Sequence, residues 1–169
     1  MKAVEKHLLV DGYNMIHRIG SLSRIFAEEP EAACEALVRM AGAIHDEEGI
    51  RVTVVFDGRE KRIQVLEPCG RPTFAVVYAP RHLTADGVIE QLLARSKNPG
   101  GVTVASRDNM IREAAAARGA FFIDGDAFEA WVGRCEERTR SRLRPKAAGG
   151  WKRSIGDIWE GSGPREGGK

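Results

Sequence analysis

The residues in this chain best suited to chemistry are aspartates that follow runs of apolar residues. "HLLVDGYN" places Asp11 directly after Leu8, Leu9 and Val10, and "VTVVFDG" ends on Asp57. "VTVASRD" carries Asp108 three residues past Ala105, and "FFIDGD" brings Asp124 and Asp126. A further run, "FAVVYA", leads through "PRHL" to "TADGVIEQ", with Asp86 in the first turn of a helical pattern. If these runs are parallel strands, the acids crowd the carboxyl ends of one sheet, where open α/β sheets bind ligands. Like charges sharing a site repel and lose hydration, so such a cluster is costly unless a cation neutralises it. An all-oxygen set selects a hard ion, Mg²⁺ or Mn²⁺. Such an ion acts chiefly on phosphates, activating a water and neutralising charge on the phosphoryl oxygens.

Each acid alone has an ordinary structural reading. Asp108 and Asp126 fit as helix caps, Asp86 gains from the helix dipole, and "DG" at Asp57 and Asp124 is common turn chemistry. Asn14 reads equally as an N-cap of a short helix or as a second polar group at the site. At about 100° per residue, Asp86 and Glu90 lie about 40° apart on one helix face, although Glu90 also reads as a solvated charge. No G-x-x-x-x-G-K-[ST] or G-x-G-x-x-G is present, so no nucleotide cofactor is expected. His7, His17, His45 and His82 form no pair at ligand spacing, and Cys34, Cys69 and Cys135 form no C-x-x-C.

The elements that must position these side chains alternate along the chain. Val-, Ile- and Phe-rich runs at 7–11, 51–57, 74–79, 101–105 and 120–123 read as strands, and helical patterns between them predict a three-layer α/β/α sandwich with a parallel sheet. Ala33, Leu37, Met40, Ala41 and Ile44 form one helix face ending near Gly49. Thr84 reads as the N-cap of a helix with Val88, Ile89, Leu92 and Leu93 inside, and Gly119 as the stop of "RDNMIREAAAAR". Asp126 and Glu129 have capping-box spacing before Phe128, Trp131, Val132 and Cys135. Residues 59–73, with Pro68 and Pro72, read either as a loop or as a short extra strand pair. Residues 1–137 form the expected domain and 138–169 a basic tail whose last nine residues look disordered.

The ordered set "LLVDGYNMIH", "VVFDGRE", "TADGVIEQL" and "VTVASRDNMIREAAAARGA" resembles the YacP-like branch of the NYN domain family, within the PIN-like nucleases. The resemblance covers about residues 7–135. It implies a PIN-like (Rossmann-like) fold and Mg²⁺-dependent endonucleolytic cleavage of RNA, with bacterial members linked to ribosome-associated messenger RNA decay. RNA rather than DNA follows from the resemblance alone. Carried over residue by residue, it makes Asp11, Asp86 and Asp108 the catalytic and metal-holding residues. Asn14, Asp57 and Glu90 are supporting. Gly87 departs from the pattern, where a larger, often acidic residue is expected.

An acidic cleft repels RNA unless cations bracket it. Arg59, Arg62, Arg81, Arg107 and the run Arg138, Arg140, Arg142 and Arg144 are the expected RNA-binding residues, with Lys61 and His82 beside them. The net charge of +2 hides a split: residues 133–169 hold ten Lys/Arg against five Asp/Glu, or +5, leaving −3 for the rest. Tyr13, Trp151 and Trp159 could stack on bases or pack on the domain. No apolar run approaches a membrane span, and a cytoplasmic protein is the expectation. Two rival readings remain open: a non-catalytic PIN-like module that binds RNA or protein, and a phosphohydrolase of small molecules, which leaves the basic tail unexplained.

Overall fold

The computed structural model describes residues 5–144. Six strands, β1 (His7–Asp11), β2 (Arg51–Asp57), β3 (Gln64–Leu66), β4 (Phe74–Ala79), β5 (Val102–Ala105) and β6 (Phe121–Ile123), form one sheet in the order β3-β4-β2-β1-β5-β6. All neighbours pair in parallel except β3, an antiparallel edge strand beside β4. The segment 59–73 is thus a loop that contributes one short strand to the main sheet.

Six α-helices cover the two faces: α1 (Gly12–Arg18), α2 (Gly20–Glu28), α3 (Pro30–Glu48), α4 (Ala85–Arg95), α5 (Asn109–Ala117) and α6 (Gly125–Leu143). Side chains alternate across a strand, so Leu8 and Val10 join the cluster under α1, α2, α3 and α6, while Leu9 joins the one under α4 and α5. All three are at most 1% exposed, and burying each contributes about 1.5–3 kcal/mol. Burial on both faces is why β1 reads as a continuous apolar run. The three-layer expectation is met.

The short helix expected after Asn14 is α1, which starts two residues earlier at Gly12, and α2 was not foreseen. The basic run is helical, and the boundary expected after residue 137 falls inside α6. That helix is capped by Asp124, whose Oδ1 accepts from the Ala127 amide at 2.9 Å, and not by Asp126. Asp126 sits in the first turn and meets Arg18 at 3.4 Å. Trp151, Trp159, Lys146 and the stretch expected to be disordered lie outside the described residues. No described helix is long and apolar enough to cross a membrane.

Chain order reverses beside β1: the chain moves from β1 outward to β2 on one side, then returns past it to β5 on the other. The crevice at the carboxyl ends of β1 and β5 is therefore the sheet's topological switch point, the place where such sheets take ligands.

Candidate active site

Asp11 ends β1 at this crevice. It occupies the N-cap position of α1 yet makes no capping bond, which leaves its carboxyl for other partners. Gly12 allows the turn: a β-carbon there would lie 2.3 Å from Phe56 Cδ1 and 2.8 Å from the Val55 carbonyl oxygen. Only glycine lets α1 start this close above β2. The Asp11 carboxyl is 4% exposed, and its Oδ2 accepts a hydrogen bond from Ser106 Oγ at 2.9 Å.

Ser106 links two acids. It is fully buried just after β5, and while donating to Asp11 it accepts from the Asp108 amide at 3.1 Å. Asp108 in turn caps α5, its Oδ1 accepting from the Met110 amide at 2.7 Å. Asn14 pins the same loop: it lies within α1, and its Oδ1 accepts from the Arg107 amide at 2.8 Å. It is not the N-cap of α1, which is Asp11, and among the described residues it makes no hydrogen bond to Asp11.

The other wall comes from α4. Asp57 Oδ1 accepts from the Ala85 amide at 2.8 Å, tying the end of β2 to the first turn of α4. Thr84 caps the helix as expected, accepting from the Gly87 amide at 3.3 Å. These bonds set Asp86 against Asp11. Burial pushes the Asp11 carboxyl up to about 7; its hydrogen bond from Ser106 opposes the rise, and the nearby Asp86 and Asp57 carboxyls add to it. Burial also raises Asp86. A proton shared from Asp11 works the other way, and repulsion from Asp108, Asp57 and Glu90 pushes it further up. Asp11, Asp86, Asp57, Asp108 and Glu90 therefore share one electrostatic site, and none of the four aspartates makes a salt bridge among the described residues.

Among the described residues no three His, Cys, Asp or Glu side chains are grouped so as to hold a metal ion. The expected set of Asp11, Asp86 and Asp108 is not grouped in this way; Asp108 Oδ1 serves the α5 cap, which leaves its second carboxylate oxygen for another partner. What does meet is the pair Asp11 and Asp86. Two carboxylates suit a Mg²⁺ ion, which keeps several waters and is commonly bound through one or two carboxylates plus substrate phosphates. The donor chemistry of Asp11 and Asp86 fits such an ion.

The expected RNA-binding residues divide. Arg59 lines a cavity of about 550 Å³ with Tyr13, His17, Phe26 and Asp57, beside the acids. Tyr13 packs edge-on against Phe26 and Phe56 at ring-centroid separations of 6.1 and 5.1 Å. Arg62 belongs to the β2–β3 loop, the Arg81 amide donates to the Glu60 carbonyl at 2.8 Å, and Arg107 is exposed beside Asn14. Arg138, Arg140 and Arg142 lie elsewhere. They sit in the last turns of α6, where Arg138 meets Glu48 at 2.9 Å, Arg140 meets Glu137 at 2.8 Å, and Arg142 meets Glu47. Glu47 and Glu48 close α3 just before β2 begins, at the amino end of the sheet. These three arginines do not bracket the cleft, because the helix carries them to the opposite end. Arg144 follows as the C-cap of α6. Ser106 was missed in the sequence, where it reads as an ordinary turn residue between β5 and Asp108.

A parallel sheet with carboxylates gathered at its switch point defines a PIN-like α/β domain. The sequence matches the YacP-like NYN domain over residues 8–160, and the chain belongs to that family of nuclease-like domains. It is similar to the crystal structure of Rae1 (YacP) from Bacillus subtilis, at 28% identity and a TM-score of 0.68 over 82% of this chain and 80% of that one. It is likewise similar to a tryptophan-to-leucine mutant of that protein, at 30% identity and a TM-score of 0.67 over 82% of each chain. Among curated proteins none matches by sequence.

Proposed function

We propose that the protein is a metal-dependent endoribonuclease that hydrolyses RNA phosphodiester bonds, with Mg²⁺ or Mn²⁺ as cofactor. The observation that carries this is the meeting of Asp11 and Asp86 at the switch point, both raised by burial and both without a cationic partner. A buried pair of repelling acids is unfavourable by itself, and functional sites are where such perturbed groups concentrate. Asp11 and Asp86 are the residues that would hold the ion, with Asp108 acting through water. When bound, the ion supplies an activated water and neutralises charge on the phosphoryl oxygens.

The chain's own residues do the rest. Ser106 holds the Asp11 rotamer, Asn14 holds the loop that carries Asp108, and Asp57 holds the start of α4, so the carboxylates are preorganised by hydrogen bonds to rigid elements. Burial of Asp11 strengthens its electrostatic interaction with the half-buried Asp86, which remains open to solvent and substrate. Arg59 and Arg107 flank the acids and would draw in the polyanion. Family membership supports RNA as the substrate, with messenger RNA decay at the ribosome in the cytoplasm as the proposed setting. The test is a Mg²⁺-dependent assay on RNA and DNA side by side with mapped product ends. Cleavage of RNA leaving 5′-phosphate and 3′-hydroxyl ends is expected; RNA left intact with Mg²⁺ and with Mn²⁺ would contradict the reading.

The competing reading is a non-catalytic PIN-like module. It draws on the capping role of Asp108 and predicts RNA or protein binding that is indifferent to divalent ions.

A further inference from the structure

We propose that a groove between the β2–β3 loop and α4 seats a single-stranded stretch of RNA. The inference rests on the nuclease reading only for the identity of the polyanion. The groove encloses about 580 Å³ and is rimmed by Lys61, Arg62, His82 and Arg95. No carboxylate lines it. Unlike Arg138, Arg140 and Arg142 of α6, Lys61, Arg62 and Arg95 make no salt bridge among the described residues. Three permanent cations around one concavity that no carboxylate lines create a positive field that attracts a polyanion.

The floor is apolar. Ile63, Leu83 and Leu92 line it, and Ile63 is 52% exposed. Gly87 does not line the groove, but a β-carbon there would lie 2.5 Å from Leu83 Cδ1, so glycine leaves room for Leu83 over the first turn of α4. The departure from the family pattern at residue 87 thus has a local use. Val88, Gln91, Leu92 and Arg95 lie on the flank of α4 away from Asp86 and Glu90, so the groove runs along the helix and comes toward the acids only at the end formed by His82 and Leu83.

Cations over an apolar floor discriminate between forms of nucleic acid. A duplex would offer only phosphates and leave the floor in water, whereas a single strand can splay a base onto it while its phosphates meet the rim. Contacts of this kind track the backbone and tolerate any sequence.

The experiment measures binding of a fluorescent single-stranded RNA to the full chain in EDTA across a salt series, with the matching duplex as second probe. Arg62→Ala/Arg95→Ala should weaken single-strand binding about tenfold or more and flatten the salt slope by roughly 1–1.5. Ile63→Ser, a change at an exposed side chain, should weaken single-strand but not duplex binding. Arg138→Ala/Arg142→Ala should bind as wild type. Wild-type affinity and slope in the Arg62/Arg95 variant, or duplex binding tighter than single-strand binding, would overturn the groove. Cleavage in Mg²⁺ is read in parallel: RNA bound through the groove but never cleaved sinks the nuclease reading alone, while cleavage with unchanged KM in the Arg62/Arg95 variant sinks the groove alone.

Discussion

At the amino end of the sheet, Glu47 and Glu48 meet Arg142 and Arg138, and Glu5 meets Arg51 at 2.8 Å. At the carboxyl end, Asp11, Asp57, Asp86 and Asp108 gather with no Lys, Arg or His paired to them among the described residues, and Lys61 and Arg62 in the loop after β2 make no salt bridge either. Glu48 shows what pairing does. Burial raises its carboxyl, but hydrogen bonds from Trp131 and Arg138, helped by the Arg138 charge and Cys135, outweigh this and hold it below the usual range. Asp11 shows the reverse, with burial winning. Charges satisfied within the fold fasten one helix to another; charges left unsatisfied wait for something from outside.

The comparison can be broken most forcefully at Asp11. Its pKa rises from 3.8 to about 7, so between about pH 4 and 7 the folded carboxyl holds a proton that the unfolded chain has lost. Its stabilising contribution is full below pH 4 and disappears as pH rises through 7. Asp11→Asn removes this slope and should make the metal-free protein more stable at pH 8 by about 2–4 kcal/mol, or several degrees in Tm. The advantage should shrink toward pH 4 in a pH series of thermal melts. His7, at the other end of the same strand, has the opposite sign. Burial first, then the Arg51 charge, lower it to about 4, so stability gained from its neutral form is lost as pH falls from about 6.5 to 4.

Next in size is the response to divalent ions. Saturating Mg²⁺ or Mn²⁺ at about 100 times its dissociation constant should stabilise the wild type by about 2.7 kcal/mol, read as a Tm shift that Asp11→Asn abolishes. At the paired end, Glu48→Ala should cost about 1–2 kcal/mol in denaturant unfolding, because Trp131 and Arg138 lose an acceptor that is still partly solvated. Cleavage should be unaffected. The smallest stability effect is expected at Asn14→Ala, about 1 kcal/mol from one lost hydrogen bond. It should nevertheless lower cleavage, since the loop bearing Asp108 is released.

Much of this arrangement was legible in the chain. Apolar runs that end on aspartate gave the strands and the end of the sheet where they converge, and Thr84 gave the start of α4 because local capping chemistry depends on few neighbours. What escaped depended on distant partners. The bond from the Arg107 amide to Asn14 spans 93 residues, and Ser106 reaches Asp11 across 95. Arg138 to Arg142 looked like a free basic run because Glu47 and Glu48, which neutralise two of them, lie about 90 or more positions earlier. Asp124 and Asp126 compete for the same cap two residues apart, and only the backbone decides which carboxylate reaches the Ala127 amide. Asp108 was read as both ligand and cap; the structure gives it the cap.

The account stands on the carboxylates that meet without a cation. The most direct measurement is the rate of RNA cleavage in Mg²⁺ by Asp11→Asn and Asp86→Asn proteins against wild type, each shown to be folded by its melting curve. Loss of a single preorganised electrostatic group at a reacting centre typically costs about 10²–10³-fold, and a fall of at least that size is expected in both variants. Cleavage at the wild-type rate by both would contradict the central claim.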